Sequence, residues 1–127
     1  MDAHVAYVFE DICREIIWDK VIDGTIPFTV GKVGRWWDNV NNEIDVVAID
    51  ADSNNNILLG ECKYWKEPVG VNVLTALENK ARLVDWNKDR RTVWYAIFSV
   101  SGFTADLAAL AKERNDIMLF DMGNSDN

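Results

Sequence analysis

The chain has 127 residues, of which 49% are hydrophobic, and this is enough for one domain with its own core. The formal net charge of −8 argues against strong autonomous binding to nucleic acid, because such binding depends on neutralising phosphates. No run approaches the roughly 18 apolar residues of a membrane span, and the acidic start lacks the basic region of a signal peptide. We therefore expect a cytoplasmic protein with no membrane partner, in which Cys13 and Cys62 are reduced, buried thiols.

The first predicted element is a helix over Ala3–Val21, capped by Asp2 and ended by Asp23-Gly24. Its predicted apolar stripe consists of Val5, Val8, Phe9, Ile12 and Ile16. Glu10 and Glu15 lie on opposite borders of that stripe, where either could lean toward a site or be a solvated flank. His4 is the only histidine and stands at the start of the helix, so a histidine-based catalytic or zinc site is not expected.

A strand is predicted over Phe28–Trp37, where Gly31 and Gly34 indicate a bulge or a close approach of backbones. Trp36 and Trp37 are expected to be packing residues.

Arg35 lies between a glycine and a tryptophan in this strand. It could reach a phosphate, or it could only pair with Asp38 or Glu43.

The segment Glu43–Lys63 predicts an antiparallel hairpin, because two apolar strands flank the turn-forming residues Ala51–Asn56. Asp45 lies near the start of the first strand, and Glu61 and Lys63 lie near the end of the second. Since a hairpin reverses direction, the three side chains should meet at one end of the sheet.

Alternation of side chains fixes the register of this hairpin. If Asp45 lies opposite Glu61, then Val47 faces Leu59 and Ile49 faces Ile57, so that apolar residues match. Two carboxylates and an ammonium group at the end of an apolar hairpin favour a divalent metal site with a lysine beside it. The alternative is a salt-bridged cluster without a metal.

The second half of the chain predicts alternating helices and strands. A loop over Tyr64–Gly70 leads to a helix that opens at Val71 or Asn72 and runs to about Asn87, with Lys80 on its outer side. A buried strand over Arg91–Val100, a helix over Ala105–Arg114 capped by Thr104, a strand over Asp116–Met122 and a frayed tail over Gly123–Asn127 follow. The order α-β-β-β-α-β-α-β predicts an α/β fold, a mixed β-sheet flanked by helices on both faces.

This order, with Asp45 on one hairpin strand and Glu61-Cys62-Lys63 on the next, resembles the PD-(D/E)XK nuclease superfamily and its restriction-endonuclease-like fold. The residue before Asp45 is Ile44, which departs from the proline of the superfamily motif. The segment from Phe98 through Ala111, followed by D-I-M-L-F-D, is similar to the end of Mrr-type restriction endonucleases and archaeal Holliday-junction resolvases.

A closer resemblance is to the nuclease-like C-terminal domain of archaeal P-loop ATPases, a domain-of-unknown-function family. It rests on G-R-W-W-D, E-I-D-V-V-A and L-L-G-E-C-K-Y-W. The chain has no G-x-x-x-x-G-K-[ST], so the resemblance implies one nuclease-like domain over residues 1–127, excised from the C-terminus of a larger ATPase, with Met1 as an introduced start.

The resemblance implies a metal-dependent DNA endonuclease using Mg²⁺ or Mn²⁺. Asp45, Glu61 and the Cys62 carbonyl would hold the metal, and Lys63 would orient water and offset charge on the phosphate. Glu10 matches the first-helix glutamate of many members, as a further metal ligand or outer-sphere contact. The candidate substrate contacts are Arg35, Tyr64, Trp65 and Lys66.

Implied partners are DNA, branched or duplex, the ATPase portion of the parent protein and, since many relatives cut two strands with two subunits, a second copy of the chain. Two other interpretations remain open. One is a catalytically silent nuclease-like module that docks to the ATPase or to another protein. The other is an unrelated α/β binding domain.

Overall fold

The structure, a computed structural model, describes residues 3–52 and 54–124. Within these residues the elements follow the predicted order: α1 (Ala3–Ile22), β1 (Val30–Trp37), β2 (Glu43–Asp50), β3 (Asn56–Lys63), α2 (Val71–Ala81), β4 (Thr92–Ser99), α3 (Ala105–Glu113) and β5 (Ile117–Asp121). A short 3-10 turn, Met122–Asn124, follows β5. The predicted Asp2 cap and the last residues of the predicted tail lie outside the described residues, as do the side chains of residues 3–6, which include Val5 and His4.

The five strands form one mixed sheet in the order β1-β2-β3-β4-β5. The first three are antiparallel, because tight connections join them. Strands β3, β4 and β5 are parallel, and α2 and α3 provide the two crossovers that parallel neighbours require. This confirms the predicted mixed sheet, with the predicted antiparallel hairpin inside it.

Helices cover both faces of the sheet, as predicted. On one face α1 packs Phe9, Cys13 and Ile17 against inward-facing residues of the central strands. On the other face α2 and α3 bury Leu77 and Leu107 against the sheet. The sheet is therefore the middle of three layers, and the hairpin β2–β3 lies at its centre.

The buried face of α1 differs from the predicted stripe. Phe9 is buried and Ile16 is half-buried, but Val8 and Ile12 are exposed, and Cys13 and Ile17 are fully buried instead. The helix is rotated because Cys13, a small residue that packs like an apolar one, occupies the centre of the contact. Two large hydrophobic side chains consequently face outward.

Helix α2 ends at Ala81, six residues before the predicted end. The Arg91 guanidinium donates to the carbonyl oxygens of Ala81, Val84 and Trp86, which pulls the chain out of the helix into an irregular turn. Val84, three residues beyond the end of α2, is still buried against the sheet.

Strand β1 contains the irregularities that its glycines predicted. Its pairing with β2 shifts register between Val30 and Lys32 and again between Gly34 and Trp36. A Cβ on Gly31 would lie 2.9 Å from the Ala51 Cα, so a close backbone approach requires glycine there.

No helix in residues 3–52 and 54–124 combines the length and the apolar character needed to cross a membrane. The predicted Thr104 cap of α3 is confirmed, since its side chain accepts a hydrogen bond from the Leu107 N–H at 3.3 Å.

Candidate metal and nucleic-acid site

The hairpin brings Asp45 and Glu61 together in the predicted register. Val47 pairs with Leu59 and Ile49 with Ile57, and the ladder continues to Val46 opposite Gly60. Asp45 follows one step beyond, where its Oδ2 accepts a hydrogen bond from the Cys62 backbone N–H at 2.9 Å. The Asp45 carboxylate interacts with the Glu61 carboxyl group strongly enough to help raise the pKa of Glu61. Local strand pairing in the β-hairpin therefore brings together the two carboxylates of the predicted cluster.

Glu61 is the most buried carboxyl group of this cluster, with 3% of the residue exposed. Burial, and then the hydrogen bond and repulsion from Asp45, raise the pKa of Glu61 to about 7. The Lys80 ammonium opposes this rise by donating to the Glu61 Oε1. Lys80 was expected on the outer side of α2, and this was wrong, because its long side chain reaches over the end of β3 and also donates to the Glu43 carbonyl at 2.8 Å.

Glu10 reaches the site from α1. It lines a pocket of about 240 Å³ together with Asp45 and Lys63, whereas Glu15 is exposed. Burial and repulsion from Asp45 raise the pKa of Glu10. Arg14, one turn along the helix, lies 3.9 Å from the Glu10 carboxylate and donates to the Asp45 carbonyl at 2.8 Å, so it ties α1 to β2.

Lys63 lines the same pocket but turns toward the loop that follows β3. Its ammonium lies 4.9 Å from the centre of the Trp65 ring. Tyr64 also lines the pocket and packs edge-on against Phe9, with ring centres 5.3 Å apart. Lys66 lines the adjoining depression together with Tyr64 and Trp65. An exposed aromatic and basic rim therefore borders the carboxylates.

Arg35 lines a neighbouring depression and pairs with Glu43 at 3.3 Å, which was one of its predicted alternatives. Its guanidinium also lies 5.5 Å from the Trp37 ring centre. Trp37 is 64% exposed, so the prediction that it is a packing residue was wrong. The prediction for Trp36 is confirmed, since it packs against the core beneath α2.

The two cysteines lie against each other beneath the site, and both are free thiols. Cys13 is fully buried on α1, and Cys62 is half-buried with its side chain toward Cys13. Contact with the Cys13 thiol, followed by burial, raises the pKa of Cys62 far above its usual range. Its thiol is therefore a poor metal ligand, and only its backbone is available to the site.

The donor set suits a hard divalent cation, because Glu10, Asp45 and Glu61 offer only carboxylate oxygens. In residues 3–52 and 54–124, however, no three His, Cys, Asp or Glu side chains converge closely enough to enclose a metal ion. Asp45 and Glu61 interact with each other, and the Lys80 ammonium group donates a hydrogen bond to the Glu61 Oε1. The carboxylate oxygens are ligands of the kind that such an ion prefers. To bind the ion, Glu61 would contact it and Lys80 at the same time.

Sequence reasoning missed the roles of Lys80 and Arg14, and it missed the contact between Lys80 and the Glu43 carbonyl. Arg14 carried a weak signal, because it lies four residues after Glu10 on one helix face. Lys80 was recognisable only as a cation three residues after the buried Leu77. None of these signals predicts a contact across the sheet.

Taken together, the chain is an α/β domain with clustered carboxylates and a lysine at the end of its central hairpin. Residues 1–84 match the family model DUF234, described as archaea bacterial proteins of unknown function. The match covers more than half of the chain, and the protein belongs to this family. A protein of Methanocaldococcus jannaschii, described as uncharacterized protein MJECL04, is 30% identical over 122 residues. The alignment covers 94% of this chain but only 25% of that relative.

Two solved structures are similar to the chain. One is a repair endonuclease from Pyrococcus abyssi, with 18% identity, a TM-score of 0.48, and coverage of 85% of this chain and 44% of that one. The other is an EndoMS–dsDNA2 complex, with 11% identity, a TM-score of 0.49, and coverage of 86% and 44%. The chain therefore spans less than half of either neighbour.

Proposed function

We propose that this chain is a divalent-metal-dependent DNA endonuclease domain that hydrolyses phosphodiester bonds. The observation that carries the proposal is the pocket at the end of the β2–β3 hairpin, which is lined by Glu10, Asp45 and Lys63 and in which Asp45 interacts with the buried Glu61. Three carboxylates from three different elements, with a lysine two residues after one of them, match the needs of phosphoryl chemistry better than those of a structural ion pair.

In this proposal Asp45, Glu61, Glu10 and the Cys62 carbonyl hold Mg²⁺ or Mn²⁺, and the ion, when bound, activates water and polarises the phosphate. The Cys62 N–H fixes the Asp45 carboxylate, so its free oxygen is oriented before an ion arrives. Lys63 swings from the Trp65 ring to the phosphate, where an ammonium offsets the charge that develops during hydrolysis. Arg14 holds α1 against β2 and thereby positions Glu10.

The rim supplies the substrate contacts of this proposal. Lys66 and Arg35 line separate depressions, each of which shares a lining residue with the pocket, and would pair with phosphates. Tyr64 and Trp65, which are 45% and 39% exposed, would stack on bases or sugars. Arg35 is free to exchange its partner Glu43 for a phosphate, because both side chains are solvent-exposed.

The chain would act as one domain of a longer protein, coupled to a P-loop ATPase portion. The Methanocaldococcus relative is about four times as long as the matched segment, which leaves room for such a portion. Cutting both strands of a duplex would call for a second copy of the domain.

The test is calorimetric titration of the chain with Mn²⁺ and Mg²⁺, followed by nicking of supercoiled plasmid. Asp45→Asn and Glu61→Gln keep the shape of each side chain, and both should abolish saturable binding and nicking. Glu15→Gln is the matched control, because it removes an exposed carboxylate of the same helix as Glu10. Wild-type binding and nicking that survive in Asp45→Asn would refute the proposal.

Salt dependence gives a second readout. If Lys32, Arg35, Lys63 and Lys66 each neutralise one phosphate, DNA affinity should fall about a hundredfold between 50 and 200 mM salt. Lys66→Met should lower the slope of log affinity against log salt by about one. A wild-type slope near zero would mean that these cations do not contact phosphates.

A second candidate function is a docking module without catalysis, and the outer face of α1 favours it. Tyr7, Val8, Ile12, Trp18 and Ile22 are all large, apolar and exposed on that helix. Under this alternative Trp18→Ala would weaken co-purification with the rest of the longer protein while Asp45→Asn would not. The reverse result supports the nuclease.

A further inference from the structure

A second concave site lies next to the candidate active site, on the α2 side of the sheet. It is a cavity of about 240 Å³ between β1 and the turn after α2. Trp36 from β1 and Trp86 from the turn are its aromatic residues, and both are half-buried. Its apolar lining comes from Val47, Ile57 and other aliphatic residues of the central strands and the turn. The cavity is smaller than the 300–1,000 Å³ typical of drug-sized ligands, so it suits one small planar group.

The rim of this cavity is charged. Lys32 and Arg35 lie along β1, and Asp85 lies on the turn beside Trp86. All three are exposed, so they keep their charges in water. An apolar, indole-lined cavity with two cations at its mouth offers stacking for a flat ring and pairing for an anion attached to that ring.

The cavity and the candidate active site are related through a depression that shares one lining residue with each of them. Arg35 lines the cavity and also the depression that it shares with Glu43, and Glu43 lines the pocket of Asp45. In the sheet Trp36 pairs with Ile44, the residue before Asp45. Because adjacent strands lie about 5 Å apart, the backbone that carries Trp36 lies beside the start of β2, which carries Asp45.

We propose that this cavity binds the base of an unpaired nucleotide of the DNA substrate, with the phosphate of that nucleotide on Lys32 or Arg35. The inference rests on the proposed nuclease function and adds to it the substrate class: DNA with a bulged or single-stranded nucleotide next to the cut. A base held in a duplex cannot enter, because its faces are covered by its stacked neighbours. A free mononucleotide has the same ring and phosphate, so the experiment separates these two sources.

The structure also explains how the cavity is kept open. Arg91 donates to the carbonyl oxygens of Val84 and Trp86 and so fixes the turn that carries the Trp86 ring. Asn87 follows with a φ of 44°, a left-handed conformation that ends the turn. The backbone that carries the ring is therefore held in place before a ligand arrives, which reduces the entropy lost on binding.

The experiment is fluorescence anisotropy with two labelled duplexes, one fully paired and one with a single bulged nucleotide. EDTA is present, so binding is measured without cleavage. The wild-type chain should prefer the bulged duplex by about tenfold, the scale of one base stacked on an aromatic ring. Trp86→Ala should lose the preference and Trp86→Phe should keep it. Trp18→Ala, an exposed tryptophan of α1 on the other face of the sheet, is the matched control and should also keep it.

Equal affinity of the wild-type chain for both duplexes would overturn the proposal, as would a preference that survives in a folded Trp86→Ala variant. Competition with adenosine monophosphate separates the two ligand sources. If it displaces the bulged duplex at concentrations near the affinity of the duplex itself, the cavity is a mononucleotide site and the assignment to DNA is wrong. Nicking that depends on Asp45 but ignores the bulge would leave the nuclease proposal standing without this one, and absence of any DNA binding or nicking would remove both.

Discussion

Replacement of Lys80 by methionine tests the electrostatics of the candidate site. The substitution keeps the length and apolar stem of the side chain but leaves Glu61, which is 3% exposed, without its ammonium partner. Removing one partner of a buried ion pair costs about 3–5 kcal/mol. Because Lys80 itself is 22% exposed, we expect the lower end of that range, about 3 kcal/mol at pH 8.

The loss of folding stability in Lys80→Met should depend on pH. Folding raises the pKa of Glu61 from 4.5 to about 7, so the folded state binds more protons than the unfolded state between these values. Stability therefore falls as pH rises through this window. Without Lys80 the pKa of Glu61 rises further, so the fall is larger and extends above pH 7. At pH 5 the carboxyl group is protonated in both variants, and about 1 kcal/mol should remain from the lost hydrogen bond to the Glu43 carbonyl.

The assay is urea unfolding of both variants at pH 5 and pH 8 in EDTA, followed by tryptophan fluorescence. At pH 8 the expected loss corresponds to about 10 °C in melting temperature for a domain of this size. Lys88→Met, an exposed lysine beyond the end of α2, is the control. Combining Lys80→Met with Glu61→Gln should remove the pH dependence, since the titrating group is gone. Equal losses at both pH values in Lys80→Met would refute the reasoning, because they would assign Lys80 to packing.

Three further predictions concern the stability of elements that surround the site. Gly31→Ala should cost about 1–3 kcal/mol, because its Cβ would lie 2.9 Å from the Ala51 Cα, whereas Gly34→Ala has open space and should change the melting temperature little. A similar loss in both variants would contradict the close-approach explanation. Arg91→Met should cost about 2–3 kcal/mol in urea unfolding, because carbonyl oxygens after α2 lose a charged donor. Thr104→Ala should cost about 1 kcal/mol by thermal unfolding, as for other N-caps, and no change would mean that water replaces the hydroxyl.

The hairpin was predictable because its signals are local. The alternation of apolar residues predicts that Val47 and Ile49 lie on the same face of the sheet. The turn formers between the two strands predict that the chain reverses direction there. Given these, only one register pairs Leu59 with Val47, and that register carries Asp45 to Glu61. The five-stranded order followed from the same alternation of helices and strands.

The partners of the carboxylates could not be predicted, because they depend on how helices dock. Lys80 meets Glu61 across 19 residues of sequence, and Arg14 meets the Asp45 carbonyl across 31. A rotation of α1 by less than a third of a turn separates the predicted stripe from the observed one, and periodicity cannot resolve such a rotation when Val8 and Ile12 are as apolar as Ile17. The burial of Lys80 likewise requires the tilt of α2 over β3.

The charge balance of the site bears on how an acidic chain could bind the proposed DNA substrate. Glu10, Asp45 and Glu61 face or adjoin one pocket, and Lys80 is already engaged with the most buried of them. A phosphate diester would bring a further negative charge beside these carboxylates, with Lys63 as its nearest ammonium. Under the nuclease proposal a divalent cation should therefore strengthen binding of DNA, and, because coupling between two ligands is reciprocal, DNA should strengthen binding of the cation by the same factor. An overall charge of −8 then opposes binding of DNA alone without opposing binding of DNA and metal together.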